Sequence, residues 1–83
     1  MTTEADIYEG LMPVFAECFP SAGGPPSPDT AAADVLGWDS MAHVIFISEL
    51  EAKFGIEFEP EEITGFQNIG ELVSIIKSKL KEN

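Results

Sequence analysis

Asp39, Ser40 and His43 place the three residue types of a hydrolytic triad within five positions, in the run Gly37-Trp38-Asp39-Ser40-Met41-Ala42-His43. Such a set makes a serine nucleophilic when the imidazole takes its proton and the carboxylate orients the imidazole. The spacing here argues against that chemistry. Ser40 and His43 are neighbours across one helical turn, but Asp39 precedes the helix and does not reach the far side of His43. No Gly-rich turn surrounds the serine to form an oxyanion hole. Ser40 is better suited to being acted upon. An accessible hydroxyl at a helix start can be offered to another enzyme without any base of its own, and the free N–H groups and dipole there favour an anionic product. The plainer role for an Asp-Ser pair at such a turn is an N-cap, which either oxygen can supply.

Other chemistries find little material. A lone Cys, Cys18, excludes an internal disulfide, and with one His it excludes a Cys/His metal cluster. Cys18 reads as a small buried apolar residue. No Asp-x-[Asp/Asn]-x-[Asp/Asn]-Gly loop occurs, which removes an acidic Ca2+ sensor. Neither catalytic nor metal-binding residues are expected.

Four helices are predicted around this turn, with no strand pattern and no internal repeat, so the fold class is all-α. Eighty-three residues make one small domain with a modest core. Thr3 and Asp6 open helix one, about 3–19, whose apolar face holds Ile7, Leu11, Val14, Phe15 and Cys18. Pro13 predicts a kink or a break in it. The prolines and paired glycines after Phe19 predict a long loop over about 20–38 with no regular structure. Eighteen residues ahead of it are too few for the loop to be an interdomain linker.

Helix two spans about 40–54, with Val44, Ile47, Leu50 and Phe54 on the arc expected to face the core and Gly55 as C-cap. His43 lies at the edge of that arc. Pro60-Glu61-Glu62-Ile63 starts a short helix three, about 60–64, and Asn68 with Glu71 starts helix four, about 69–81. The stripe Ile69, Leu72, Val73, Ile76 and Leu80 gives helix four its buried face.

The formal net charge is −11, from 15 acidic and 4 basic residues. Residues 1–52 hold no Lys or Arg, while Lys77, Lys79 and Lys81 cluster at the end. Nucleic acid is thereby a poor partner, since phosphate binding needs cations. The plainer reading of the acidic excess is solubility, and the sharper one is steering toward basic protein surfaces, which suits a chain that visits several enzymes briefly. The N-terminus has no basic start or apolar run and no stretch approaches a membrane span, so a soluble cytoplasmic chain without membrane contact is expected. The start at Met1 and the short tail after Leu80 suggest a free-standing protein, with a domain cut from a larger synthase as the alternative, and a monomer is expected.

Asp39-Ser40-Met41 resembles the Asp-Ser-Leu motif of acyl carrier proteins, with Met for Leu. The resemblance continues through Val44, Ile47, Leu50, Phe54-Gly55-Ile56, Pro60-Glu61-Glu62-Ile63 and the segment Ile69 to Leu80, covering residues 34–80 well and the first third loosely. It implies a four-helix acyl-carrier bundle over residues 1–83 with a long first loop. It implies a 4'-phosphopantetheine arm, moved from coenzyme A to Ser40 by a phosphopantetheinyl transferase with Mg2+ on the transferase side, whose thiol carries acyl groups as thioesters. Asp39 and Met41 correspond to the residues flanking the family's serine. Further implied partners are an acyl-loading ligase or acyltransferase and a ketosynthase or other acyl-processing enzyme. Cys18 is not the carrying thiol.

The second arc of helix two holds Met41, Ile45, Ser48 and Ala52, where a surface helix normally carries charge. With Trp38, Ala42 and Glu51 these residues form the expected partner face, although Trp38 could equally pack back over the core. Ala42 and Ile45 stand where fatty-acid carriers usually show acids, while Glu51 remains. This favours polyketide or other specialised biosynthesis over fatty-acid synthesis. Asp39, where peptidyl carriers more often have His, disfavours aminoacyl loading. The reading from another class is an unmodified acidic helical interaction module.

Overall fold

The computed structural model describes residues 3–81, and the side chains of residues 3–80. It contains four α-helices, α1 (Glu4–Cys18), α2 (Ser40–Phe54), α3 (Pro60–Gly65) and α4 (Ile69–Lys81), with one 3₁₀ turn at Ala32–Asp34. No strand occurs among the described residues. The chain is an all-α bundle with a long first connection and a short third helix.

Helix α1 begins with a reciprocal capping box. Asp6 N–H donates to Thr3 Oγ1 at 3.2 Å, and Thr3 N–H donates to Asp6 Oδ2 at 3.0 Å. Two otherwise orphaned donors are thus satisfied. Ile7, Leu11 and Phe15 are buried at successive turns. Pro13 produces no break, because α1 runs through it unbroken to Cys18. Pro13 and Glu9, whose carbonyl loses its ladder donor there, both lie on the exposed side of α1.

The first connection is more ordered than its prolines and glycines suggested. Ser27 N–H donates to Thr30 Oγ1 at 2.9 Å, and Thr30 N–H donates back to the Ser27 carbonyl at 3.0 Å. The loop then caps α4 with its backbone: Ile69 N–H donates to the Thr30 carbonyl and Gly70 N–H to the Pro28 carbonyl, both at 2.9 Å. A helix start leaves four N–H groups without partners, and here the loop carbonyls take two. The 3₁₀ turn follows, with Asp34 Oδ2 accepting from Ala31 N–H at 3.1 Å, and Val35 then enters the core.

Helix α2 ends at Gly55, whose φ of 67° is the left-handed conformation that terminates a helix most readily in glycine. Ile56 and Phe58 turn inward behind it. Helix α3 has Pro60 in its first turn, and Glu62 Oε1 accepts from Glu59 N–H at 2.8 Å. The same oxygen lies 2.7 Å from Lys79 Nζ, joining α3 to α4. Asn68 Oδ1 caps Glu71 N–H at 2.9 Å, while the Glu71 carboxylate accepts from Gln67 N–H.

Helix α1 packs on both α2 and α4. Ile7, Leu11, Phe15, Phe46, Leu50, Ile69, Leu72 and Ile76 form the interior. Phe46 was absent from the expected core arc of α2, and Val44, placed on it, is 60 % exposed. The inward direction lies between Phe46 and Ile47, on the side of Leu50. At about 100° per residue this carries Val44 round to the side of Met41 and Ser48. The large ring of Phe46 decides the rotation by packing against Phe15 and Phe19.

Candidate functional site

The turn into α2 is built from Gly37, with φ 92°, followed by Trp38 and the N-cap Asp39. Asp39 is extended (φ −102°), and its Oδ1 accepts from Ala42 N–H at 2.8 Å. The cap is therefore supplied by the aspartate, and Ser40 is the first residue of the helix. Ser40 is exposed, and no hydrogen bond ties its hydroxyl to another described residue. The two neighbours have divided the work: Asp39 stabilises the helix start, and Ser40 is left presentable.

Trp38 does not stand free. It is half-buried, with its ring stacked on Phe19 at 4.8 Å between centroids and edge-on to Phe46 at 5.5 Å. Its indole Nε1–H donates to His43 Nδ1 at 3.0 Å. His43 Nδ1 is thus an acceptor, and the Nε2–H donates across to the Ile63 carbonyl at 2.7 Å. The ring of Phe66, just after α3, stacks on His43 at 5.4 Å and 17°. His43 faces this inner cluster, and it has no hydrogen bond to Ser40. Asp39 is engaged with Ala42, so the triad residue types do not assemble into a triad.

A shallow groove of about 490 Å³ borders Ser40, lined by Ala32, Trp38, Asp39, His43, Val44, Ile63 and Thr64. A phosphodiester fits this position. The serine oxygen is accessible, the helix N-terminus has the polarity that an anion favours, and the groove offers apolar surface to a flexible chain. Ser40, Trp38 and His43 are the residues that would contact such an arm.

Around the turn, the outer side of α2 is apolar and open. Met41 is 74 %, Val44 60 % and Ile45 49 % exposed, and Leu36, before the turn, is 73 % exposed. Ser48 and Ala52 continue the exposed arc, and Ala42 is partly buried against the core. Glu51 points elsewhere: its Oε2 accepts from Phe58 N–H at 2.8 Å, holding the chain beyond α2. Leu36 and Val44 belong to the open surface but were not in the expected partner set. Leu36 gave no periodic signal because it precedes the helix, and Val44 was assigned to the wrong arc.

Cys18 is half-buried. Burial pushes its thiol up, with Glu49 and Glu17 adding to the effect. Among the described residues no group of His, Cys, Asp and Glu could hold a metal ion, and no helix is long and apolar enough to cross a membrane.

Residues 14–76 match the family model described as "Phosphopantetheine attachment site". The acyl carrier protein of Helicobacter pylori (strain G27) is 31 % identical over 71 residues, covering 86 % of this chain and 91 % of that protein. The meromycolate extension acyl carrier protein of Mycobacterium leprae (strain TN) is 25 % identical over 81 residues, covering 98 % of this chain and 70 % of that protein. The acyl carrier protein of Rickettsia bellii (strain RML369-C) is 35 % identical over 51 residues, covering 61 % of this chain and 59 % of that protein.

Proposed function

The chain belongs to the phosphopantetheine-attachment family of acyl carrier proteins, and we propose that Ser40 is its attachment point and the outer face of α2 its partner surface. As a member of this family it is a carrier and a substrate of other enzymes, with no turnover of its own. The observation that carries the assignment of Ser40 is the division of labour at the α2 start. Asp39 satisfies the cap, so the Ser40 oxygen can form a new bond without unravelling the helix.

In the attachment step the Ser40 hydroxyl oxygen bonds to the phosphorus of the pantetheine-bearing half of coenzyme A. The phosphoanhydride bond breaks, adenosine 3',5'-bisphosphate leaves, and the hydroxyl proton passes to a base on the transferase. When bound, the arm supplies a thiol that carries acyl groups as thioesters. Asp39 keeps the helix start intact, Met41 flanks the site on the open side, and Trp38 and His43 form the wall of the groove. Ser40→Ala tests the assignment: it abolishes acyl loading while leaving the helical circular dichroism unchanged. Loading that persists in this variant places the attachment elsewhere.

The acyl group belongs to polyketide or other specialised biosynthesis in this reading. Its support is the apolar patch of Met41, Val44, Ile45 and Leu36 beside Ser40, with Ala42 and Ile45 where acids would suit the basic surfaces of fatty-acid synthesis enzymes. The loading ligase or acyltransferase and the ketosynthase or other processing enzyme that fit it carry an apolar pocket. Basic residues at the rim of that pocket would complement Asp34, Asp39 and Glu49. Cytoplasmic residence, where coenzyme A is available, completes the proposal. Transfer rates to a ketosynthase of fatty-acid synthesis and to one of polyketide assembly separate the two settings. Faster transfer to the fatty-acid enzyme would overturn the specialised reading.

A further inference from the structure

We infer that α1 carries a second docking surface, on which a protein segment lies across Pro13 with an apolar side chain in the groove between α1 and the first connection and an arginine or lysine in the notch between α1 and α2. The surface adjoins the outer face of α2 at Ala52, and it does not depend on the assignment of Ser40. The groove comes from a connection that has little side chain to place there. Gly23, with φ 86°, turns the chain, and a Cβ on Gly24 would meet nothing. A space of about 550 Å³ is left, with the buried rings of Phe15 and Phe19 as its floor and the exposed Met12, Ala16 and Pro20 at its mouth. No charged side chain among the described residues lines it.

The notch, of about 340 Å³, shares Pro13 with the groove. Pro13, Val14 and Ala52 supply its apolar walls, Glu17 and Glu49 its two carboxylates, and Lys53 one ammonium. Among the described residues none of these three charges is held in an ion pair. Burial is the main cause that pushes the Cys18 thiol up, and Glu49 and Glu17 both add to it, so the two carboxylates converge on one part of the α1–α2 seam. Pro13 also leaves the Glu9 carbonyl without its ladder donor on the same exposed side of α1. Charge complementarity selects the occupant. An arginine or lysine can lay its stem on Pro13, Val14 and Ala52 and bring its head to the carboxylates, while a neighbouring leucine or aromatic residue of the same segment fills the groove. A second copy of this chain is a poor match, since it has a net charge of −11 and no Lys or Arg in residues 1–52.

The test titrates the full chain, labelled with ¹⁵N, with capped peptides in which Phe and Arg are separated by one, two or three glycines. At least one of them is expected to give saturable amide shifts at Met12, Ala16 and Gly24 on the groove side and at Glu17, Glu49 and Lys53 on the notch side. The same peptide with Ala for Phe, or with Glu for Arg, is expected to give no saturable shift at these amides. The double variant Glu17→Gln, Glu49→Gln is expected to bind about fivefold more weakly, the size of effect that follows from losing two exposed ion pairs. Its own spectrum reports whether it is folded, and either single substitution, with about a twofold loss, serves should the pair fold poorly.

No saturable shift with any of the three peptides overturns the inference. So do shifts centred on Met41, Val44 and Ile45, and so does an affinity unchanged in the folded variants. Shifts at the α1 amides that grow with protein concentration in the absence of peptide also overturn it, because they give the surface to a second copy. None of these readouts uses Ser40 or the arm, so the attachment assignment stands or falls separately.

Discussion

The indole of Trp38 donates to His43 Nδ1 across 3.0 Å, so the residues two before and three after Ser40 are held together on the inner side of the turn. The serine between them is exposed. Rigidity on one side and access on the other follow from which oxygen caps the helix, and that can be tested at Asp39.

Asp39→Ala removes the side chain that accepts from Ala42 N–H, and loss of an N-cap costs about 1 kcal/mol. Urea unfolding should show that loss for Asp39→Ala and almost none for Ser40→Ala. Equal losses would mean that the serine shares the cap and is less available for modification than described.

The outer face of α2 gives a second contrast. Ile45 is 49 % exposed, so Ile45→Glu should slow acyl transfer to the native partner enzymes while leaving the unfolding free energy from urea titration within about 0.5 kcal/mol of wild type. Added salt should weaken what electrostatic attraction the acidic rim provides, since screening shortens to about 3 Å at 1 M. A stability loss matching the transfer loss would make Ile45 a core residue.

Acid sensitivity should centre on the contact of α3 with α4. The hydrogen bond from Lys79, followed by that from Glu59 N–H, holds the Glu62 carboxyl below its ordinary range. The folded protein binds this proton less tightly than the unfolded chain. Its contribution is complete above the unfolded pKa and disappears as pH falls through the lower, folded one. Urea midpoints of wild type and Glu62→Gln should therefore differ at neutral pH and converge in acid. A gap that stays constant with pH would show that the ionised carboxylate adds nothing.

Gly70 and Gly65 should respond oppositely to alanine. A methyl on Gly70 would stand 3.1 Å from the Pro28 carbonyl oxygen that its own N–H binds, whereas one on Gly65 meets nothing. Gly70→Ala should lose about 1 kcal/mol as that hydrogen bond lengthens, and Gly65→Ala should gain about 0.4–1 kcal/mol through the unfolded state. Urea unfolding of both variants checks the sign of each.

Much of this was readable from the chain because the signals are local. Thr3 with Asp6, Gly55, Pro60 and Asn68 each mark a helix end through a side chain or backbone freedom that acts within a few residues. The same locality makes Asp39-Ser40-Met41 stand out. What sequence reading missed depends on distant partners. Nothing beside Thr30 or Pro28 announces that their carbonyls cap α4. The rotation of α2 is set by Phe46 against the rings of Phe15 and Phe19, from helix one and its end. Trp38 and His43 each have several rotamers compatible with their local sequence, and distant groups fix them inward: Phe19 and Phe46 against the indole, Phe66 and the Ile63 carbonyl against the imidazole.

The central claim is that Ser40 accepts the phosphopantetheine arm. Incubation with coenzyme A, Mg2+ and a promiscuous phosphopantetheinyl transferase, followed by intact mass and peptide fragmentation, tests it directly. The account predicts the gain of one phosphopantetheine, mapped to Ser40. No gain under conditions that modify a control carrier, or a gain mapped to another residue, would contradict it.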